Sequence, residues 1–133
     1  MNYILKFSFF SFLSSVSLFS CNTAVDQTVS KPGKVIETDF QKKIKENPIV
    51  LIDFSATWCV PCRRQSAVLE SLEKNMTGKA MVIKVDVDEN REIANKMNVS
   101  VLPTLVLYKN GSQVWKTEGL TSERTIKTAI ENN

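Results

Sequence analysis

Nothing in this chain limits its fold more than Ile49-Val50-Leu51-Ile52-Asp53-Phe54, a continuous apolar run broken by one acid. A strand with one face in water alternates apolar and polar residues; a run without alternation must be covered on both faces, as a central strand of an α/β sheet is. With 133 residues there is room for one ordinary domain around that strand and not for two.

The flanking segments supply the cover. Val35-Ile36-Glu37 reads as a short strand, and Thr38 or Asp39 caps a helix through Lys45 with Phe40 and Ile44 on one face, ended by Asn47-Pro48. After the apolar run, Arg63 to Asn75 reads as a helix with Val68, Leu69 and Leu72 inward, and Pro61 belongs near its first turn, where a missing N–H costs little. Lys79 to Val87 holds a strand centred on Met81-Val82-Ile83-Lys84-Val85, and Glu89 to Met97 a helix with Ile93 and Met97 on one side. Thr104 to Tyr108 and Gln113 to Trp115 flank Lys109-Asn110-Gly111-Ser112, a tight-turn signal for an antiparallel hairpin. Thr121 or Ser122 caps a last helix to about Glu131. The order β-α-β-α-β-α-β-β-α predicts an α/β fold, a mixed central sheet flanked by helices.

Composition removes several chemistries. Histidine is absent, so the commonest general base and metal ligand is missing. The 17 basic and 14 acidic residues are interleaved, which points away from nucleic acid. Of three cysteines, Cys59 and Cys62 form a C-x-x-C pair and Cys21 stands apart. A structural zinc site fails for want of ligands, and no metal is expected. A static disulfide stays open, although it leaves Trp58 and Pro61 without a role.

Met1 to Ser20 has one Lys and then an uncharged, Phe- and Ser-rich stretch, the layout of an export signal and short for a spanning helix. Leu18-Phe19-Ser20-Cys21 resembles a bacterial lipobox, with Phe19 departing from the small residue usual there. The resemblance implies a lipoprotein-type signal over residues 1–21, lipidation at Cys21 and a lipid anchor. Residues 22–34 are polar, contain Lys31-Pro32-Gly33-Lys34 and read as a flexible tether to a domain spanning 35–133.

Where a buried strand hands over to a helix, backbone N–H groups and the helix dipole favour a thiolate at Cys59, with Arg63 and Arg64 close in sequence. From residue 35 onward the chain resembles the thioredoxin family. The matching segments are Ile52-Asp53-Phe54-Ser55-Ala56-Thr57-Trp58-Cys59-Val60-Pro61-Cys62, Lys84-Val85-Asp86-Val87-Asp88, Val101-Leu102-Pro103-Thr104 and Lys109-Asn110-Gly111, followed by Gly119. Each is weak alone, and together in this order they are specific.

The resemblance implies a thioredoxin fold and a thiol–disulfide oxidoreductase whose redox-active disulfide Cys59–Cys62 needs no further cofactor. It also implies a nucleophile at Cys59, a resolving thiol at Cys62, a buried carboxylate at Asp53 and a cis-proline at Pro103. Asp53 then takes the proton of Cys62; the structural alternative is an acid paired with Lys84, and the two roles are compatible. Trp58, Val60, Pro61, Leu102, Pro103 and Gly119 form a shallow apolar surface for the substrate segment, unless Trp58 packs into the fold. Val60 replaces a common glycine, Ala67 a common helix-kinking proline, and Glu118 precedes Gly119 where an apolar residue is frequent.

The expected activity is reduction of disulfides in envelope proteins by an exported, membrane-anchored monomer fed by a membrane thiol relay. An oxidase or isomerase would use the same residues, and a binding or chaperone module would use the groove without turnover.

Overall fold

The computed structural model describes residues 37–133 apart from Thr77. The expected signal, Cys21 and the expected tether therefore lie outside the described residues, as do Val35 and Ile36 of the expected first strand. The described elements are α1 (Glu37–Glu46), β1 (Ile49–Ser55), α2 (Val60–Asn75), β2 (Met81–Asp86), α3 (Arg91–Lys96), β3 (Thr104–Lys109), β4 (Ser112–Glu118) and α4 (Glu123–Asn132).

The sheet runs β2-β1-β3-β4. β1 pairs parallel with β2 and antiparallel with β3, and β3 pairs antiparallel with β4. Alternation along β1 decides which side each residue packs on. Val50, Ile52 and Phe54 join Phe40 and Ile44 of α1, Ile83 and Val85 of β2, and Ile93 of α3. Leu51 joins Leu69 and Leu72 of α2, Leu105 and Leu107 of β3, and Ile126 and Ile130 of α4. Two apolar clusters on opposite faces account for the lack of alternation in β1. Leu69 is fully buried in the second cluster, so Leu69→Ala is expected to cost about 2–5 kcal/mol, read as a shift in the denaturant midpoint at unchanged slope.

Three local readings need correction and a fourth is settled between its alternatives. Glu37 opens α1 rather than closing a strand, and Thr38 and Asp39 lie inside that helix; Glu37 and Asp39 place negative charge in its first turn, which the helix dipole favours. α2 begins three residues before Arg63, because Cys59 caps it and Pro61 fits its first turn. α3 is shorter than expected: the Asp86 carboxylate accepts from the N–H groups of Asp88 and Glu89, which holds that stretch in a turn. Ser122, not Thr121, caps α4, its hydroxyl accepting from the N–H of Thr125 at 3.2 Å. β4 also runs to Glu118; its polar edge residues carry no strand pattern, and pairing with β3 defines them. The hairpin turn has Asn110 and Gly111 at φ 51° and 81°, the positive-φ pair a two-residue hairpin needs.

Candidate active site

Cys59 and Cys62 are joined by a disulfide with Cα atoms 5.3 Å apart. The sequence places them there through two local features. Cys59 has the extended backbone of an N-cap (φ −79°, ψ 104°), and Pro61 sits in the first turn of α2. The N–H of Cys62 donates to Cys59 Sγ at 3.2 Å. A backbone donor and the positive end of a sixteen-residue helix thus both point at this sulfur.

Both cysteines are buried, but not equivalently: Cys59 lines a groove of about 510 Å³ together with Trp58, Val60, Pro61, Val87 and Leu102, whereas Cys62 does not line it. Trp58 does not pack into the fold. It is 66% exposed, and its Nε1–H donates to Asp88 Oδ2 at 2.8 Å, which fixes the ring beside the disulfide. Val60 (57% exposed), Val101 and Leu120 add exposed apolar surface. Val99 and Ser100 also line the groove, and the sequence does not single them out. Arg63 and Arg64 are exposed on the first turn of α2.

The Leu102–Pro103 peptide bond is cis. The Pro103 carbonyl accepts from the Gly119 N–H at 2.7 Å, which binds the end of β4 to the start of β3. Leu102 is half-buried against Ala56 and the two cysteines. Gly119 has φ 82°, a conformation that disfavours any side chain there. Glu118 is exposed and paired with Lys116 at 3.5 Å.

Asp53 sits on the same face of β1 as Leu51, the face that α2 and α4 cover. It is fully buried, and neither carboxylate oxygen has a hydrogen-bond partner among the described residues. Burial pushes its pKa up to about 6, and the positive charge of Lys84 opposes the rise. The Asp53–Lys84 ion pair of the structural alternative is not formed. The two residues are neighbours in the β1–β2 register, but the Lys84 ammonium contacts Glu70 of α2 at 3.9 Å instead. Lys84 acts on Asp53 through space, and the acid keeps its desolvation penalty.

The thioredoxin family profile matches residues 31–132, more than half of the chain. The chain belongs to the thioredoxin family. Thioredoxin from Staphylococcus epidermidis is 40% identical over 100 residues, covering 75% of this chain and 95% of that one. Thioredoxin from Staphylococcus aureus is 39% identical over the same shares. Among solved structures, a mutant thioredoxin from Halobacterium salinarum superposes with a TM-score of 0.69 at 38% identity, covering 76% of this chain and 88% of that one. Oxidised mitochondrial thioredoxin 3 from Saccharomyces cerevisiae gives 0.67 at 34%, covering 72% and 89%. The protein is therefore a protein-disulfide oxidoreductase that acts on disulfide-containing proteins through its Cys59–Cys62 pair. The static-disulfide reading of the motif falls with that assignment. Among the described residues, no group of three or more His, Cys, Asp or Glu side chains could hold a metal ion.

Proposed function

We propose that the protein is a reductase, held to a membrane through lipid on Cys21, that opens disulfides in proteins outside the cytoplasm. The observation that carries the chemistry is the asymmetry of the two sulfurs: Cys59 faces the groove and receives the Cys62 N–H, while Cys62 lies off the groove. The Cys59 thiolate attacks a substrate disulfide, one substrate sulfur leaves as thiolate, and a mixed disulfide forms. Cys62 then attacks Cys59, the bond to the substrate breaks, and the second substrate sulfur leaves. Asp53 accepts the Cys62 proton in that step, and Lys84 limits how far burial raises its pKa. Trp58, Val60, Pro61, Leu102, Pro103 and Gly119 make the docking surface for the substrate segment.

The location rests on the uncharged export-type stretch ending at Cys21, upstream of the family match at residue 31. Outside the cytoplasm the oxidised protein needs a membrane thiol relay to return its electrons. The disulfide itself is the redox group, with no further cofactor. Equilibration of the full chain with glutathione tests the direction: a Cys59–Cys62 potential near about −270 mV fits a reductase, and one near about −120 mV fits an oxidase. Labelled fatty acid should appear on the wild type and vanish in Cys21→Ser; label persisting in that variant refutes the anchor.

A further inference from the structure

Gln65 is one turn beyond Cys62 on α2, fully buried, in a helix whose other inward residues are apolar. A buried amide needs partners for both its donor and its acceptor. Gln65 finds them on a single residue across 56 positions of sequence: its Nε2–H donates to the Thr121 carbonyl at 3.2 Å, and its Oε1 accepts from the Thr121 N–H at 2.8 Å. The Thr121 hydroxyl in turn donates to the Gly119 carbonyl at 3.2 Å, and the Gly119 N–H donates to the Pro103 carbonyl at 2.7 Å. A continuous set of hydrogen bonds therefore runs from the helix that carries the disulfide, through the segment 119–121, to the loop that carries Pro103. Leu120, in the middle of that segment, is 51% exposed although both its neighbours are held.

We infer that Gln65 is a positioning residue for protein substrates, clamping Gly119-Leu120-Thr121 to the disulfide-bearing helix so that the docking edge is formed before a substrate arrives. The clamp touches neither substrate nor sulfur. It acts by removing the ordering cost that a loose segment would add to each binding event. A small disulfide, which reaches Cys59 without using this edge, gains nothing from it. The inference rests on the disulfide-exchange chemistry proposed above but not on electron direction or location.

The test uses the full chain, with insulin as the protein substrate under dithiothreitol and a small aromatic disulfide as the reference. Gln65→Leu removes both bonds, and Gln65→Glu, when ionised, keeps the shape and the acceptor but replaces the donor with a charge facing the Thr121 carbonyl. Each lost bond of this kind is worth roughly a five-fold factor. KM for insulin is expected to rise by roughly five-fold or more in Gln65→Leu, and in Gln65→Glu at a pH where the carboxylate is ionised, with kcat and the small-disulfide rate unchanged and the Thr121 amide exchanging faster with solvent. If Gln65→Leu does not fold, the volume-conserving Gln65→Glu decides alone. An unchanged KM for insulin in a folded variant, or a parallel loss with both substrates, overturns the clamp. Loss of small-disulfide turnover in the wild type would instead refute the exchange chemistry beneath it.

Discussion

Cys62→Ser is expected to stop turnover and to hold each captured substrate on Cys59 as a mixed disulfide that survives non-reducing electrophoresis. The first step needs only Cys59, which lines the groove, and its sulfur keeps the Cys62-position N–H because serine has the same backbone donor. The second step needs a sulfur at position 62, and a hydroxyl is too weak an acid and nucleophile to replace it. Cys59→Ser should fail earlier, giving neither turnover nor adduct. If Cys59→Ser, rather than Cys62→Ser, accumulated the adduct, the roles assigned to the two sulfurs would have to be exchanged. Identification of the adducts also names the client proteins and the donor relay.

Asp53→Asn is expected to change stability and rate in opposite directions. The folded carboxyl, at about 6, holds its proton more tightly than the unfolded one at 3.8. Its contribution is therefore most favourable below pH 3.8, declines between 3.8 and about 6, and is lost above that. The interval corresponds to about 3 kcal/mol against the folded state at neutral pH. The neutral asparagine does not carry this loss, so the variant should be more stable by up to about 3 kcal/mol at pH 8, with the gain gone below pH 4. Denaturant unfolding at the two pH values measures it, and a gain of the same size at both would contradict the ionisation account. Asparagine cannot accept the Cys62 proton, and resolution of the mixed disulfide near neutral pH should slow by about 10²-fold.

The legible part of the molecule was the part whose physics is local. β1 announced itself because burial on both faces leaves no alternation, and Asp53 stood out within it as the one charged group. The hairpin was visible in Asn110-Gly111, and the redox pair in the spacing of Cys59 and Cys62. What escaped depends on partners distant in sequence. Gln65 is a polar residue on an inward helix face, and only the position of Thr121 explains it. Asp88 orients Trp58 across 30 residues, so the motif that contained it gave no sign of that contact. The Asp53–Lys84 pairing failed for a related reason: adjacency in the strand register does not fix where a long ammonium chain ends, and Glu70 of α2 offers it a more exposed position. The early start of α2 was hidden because its cap is a cysteine, which capping preferences do not include.

The place of β1 between β2 and β3 has a bearing on how the chain is made. One hydrogen-bonding edge of its most apolar segment finds its partner in β2, but the other stays open until residues up to Lys109 have been synthesised, 54 positions after the strand itself ends at Ser55. Closing such loops delays the sheet until late, and the domain then completes as one cooperative unit. A chain cut short before β3 would present a bare apolar edge to its neighbours, so prematurely terminated fragments should aggregate rather than persist as small redox proteins.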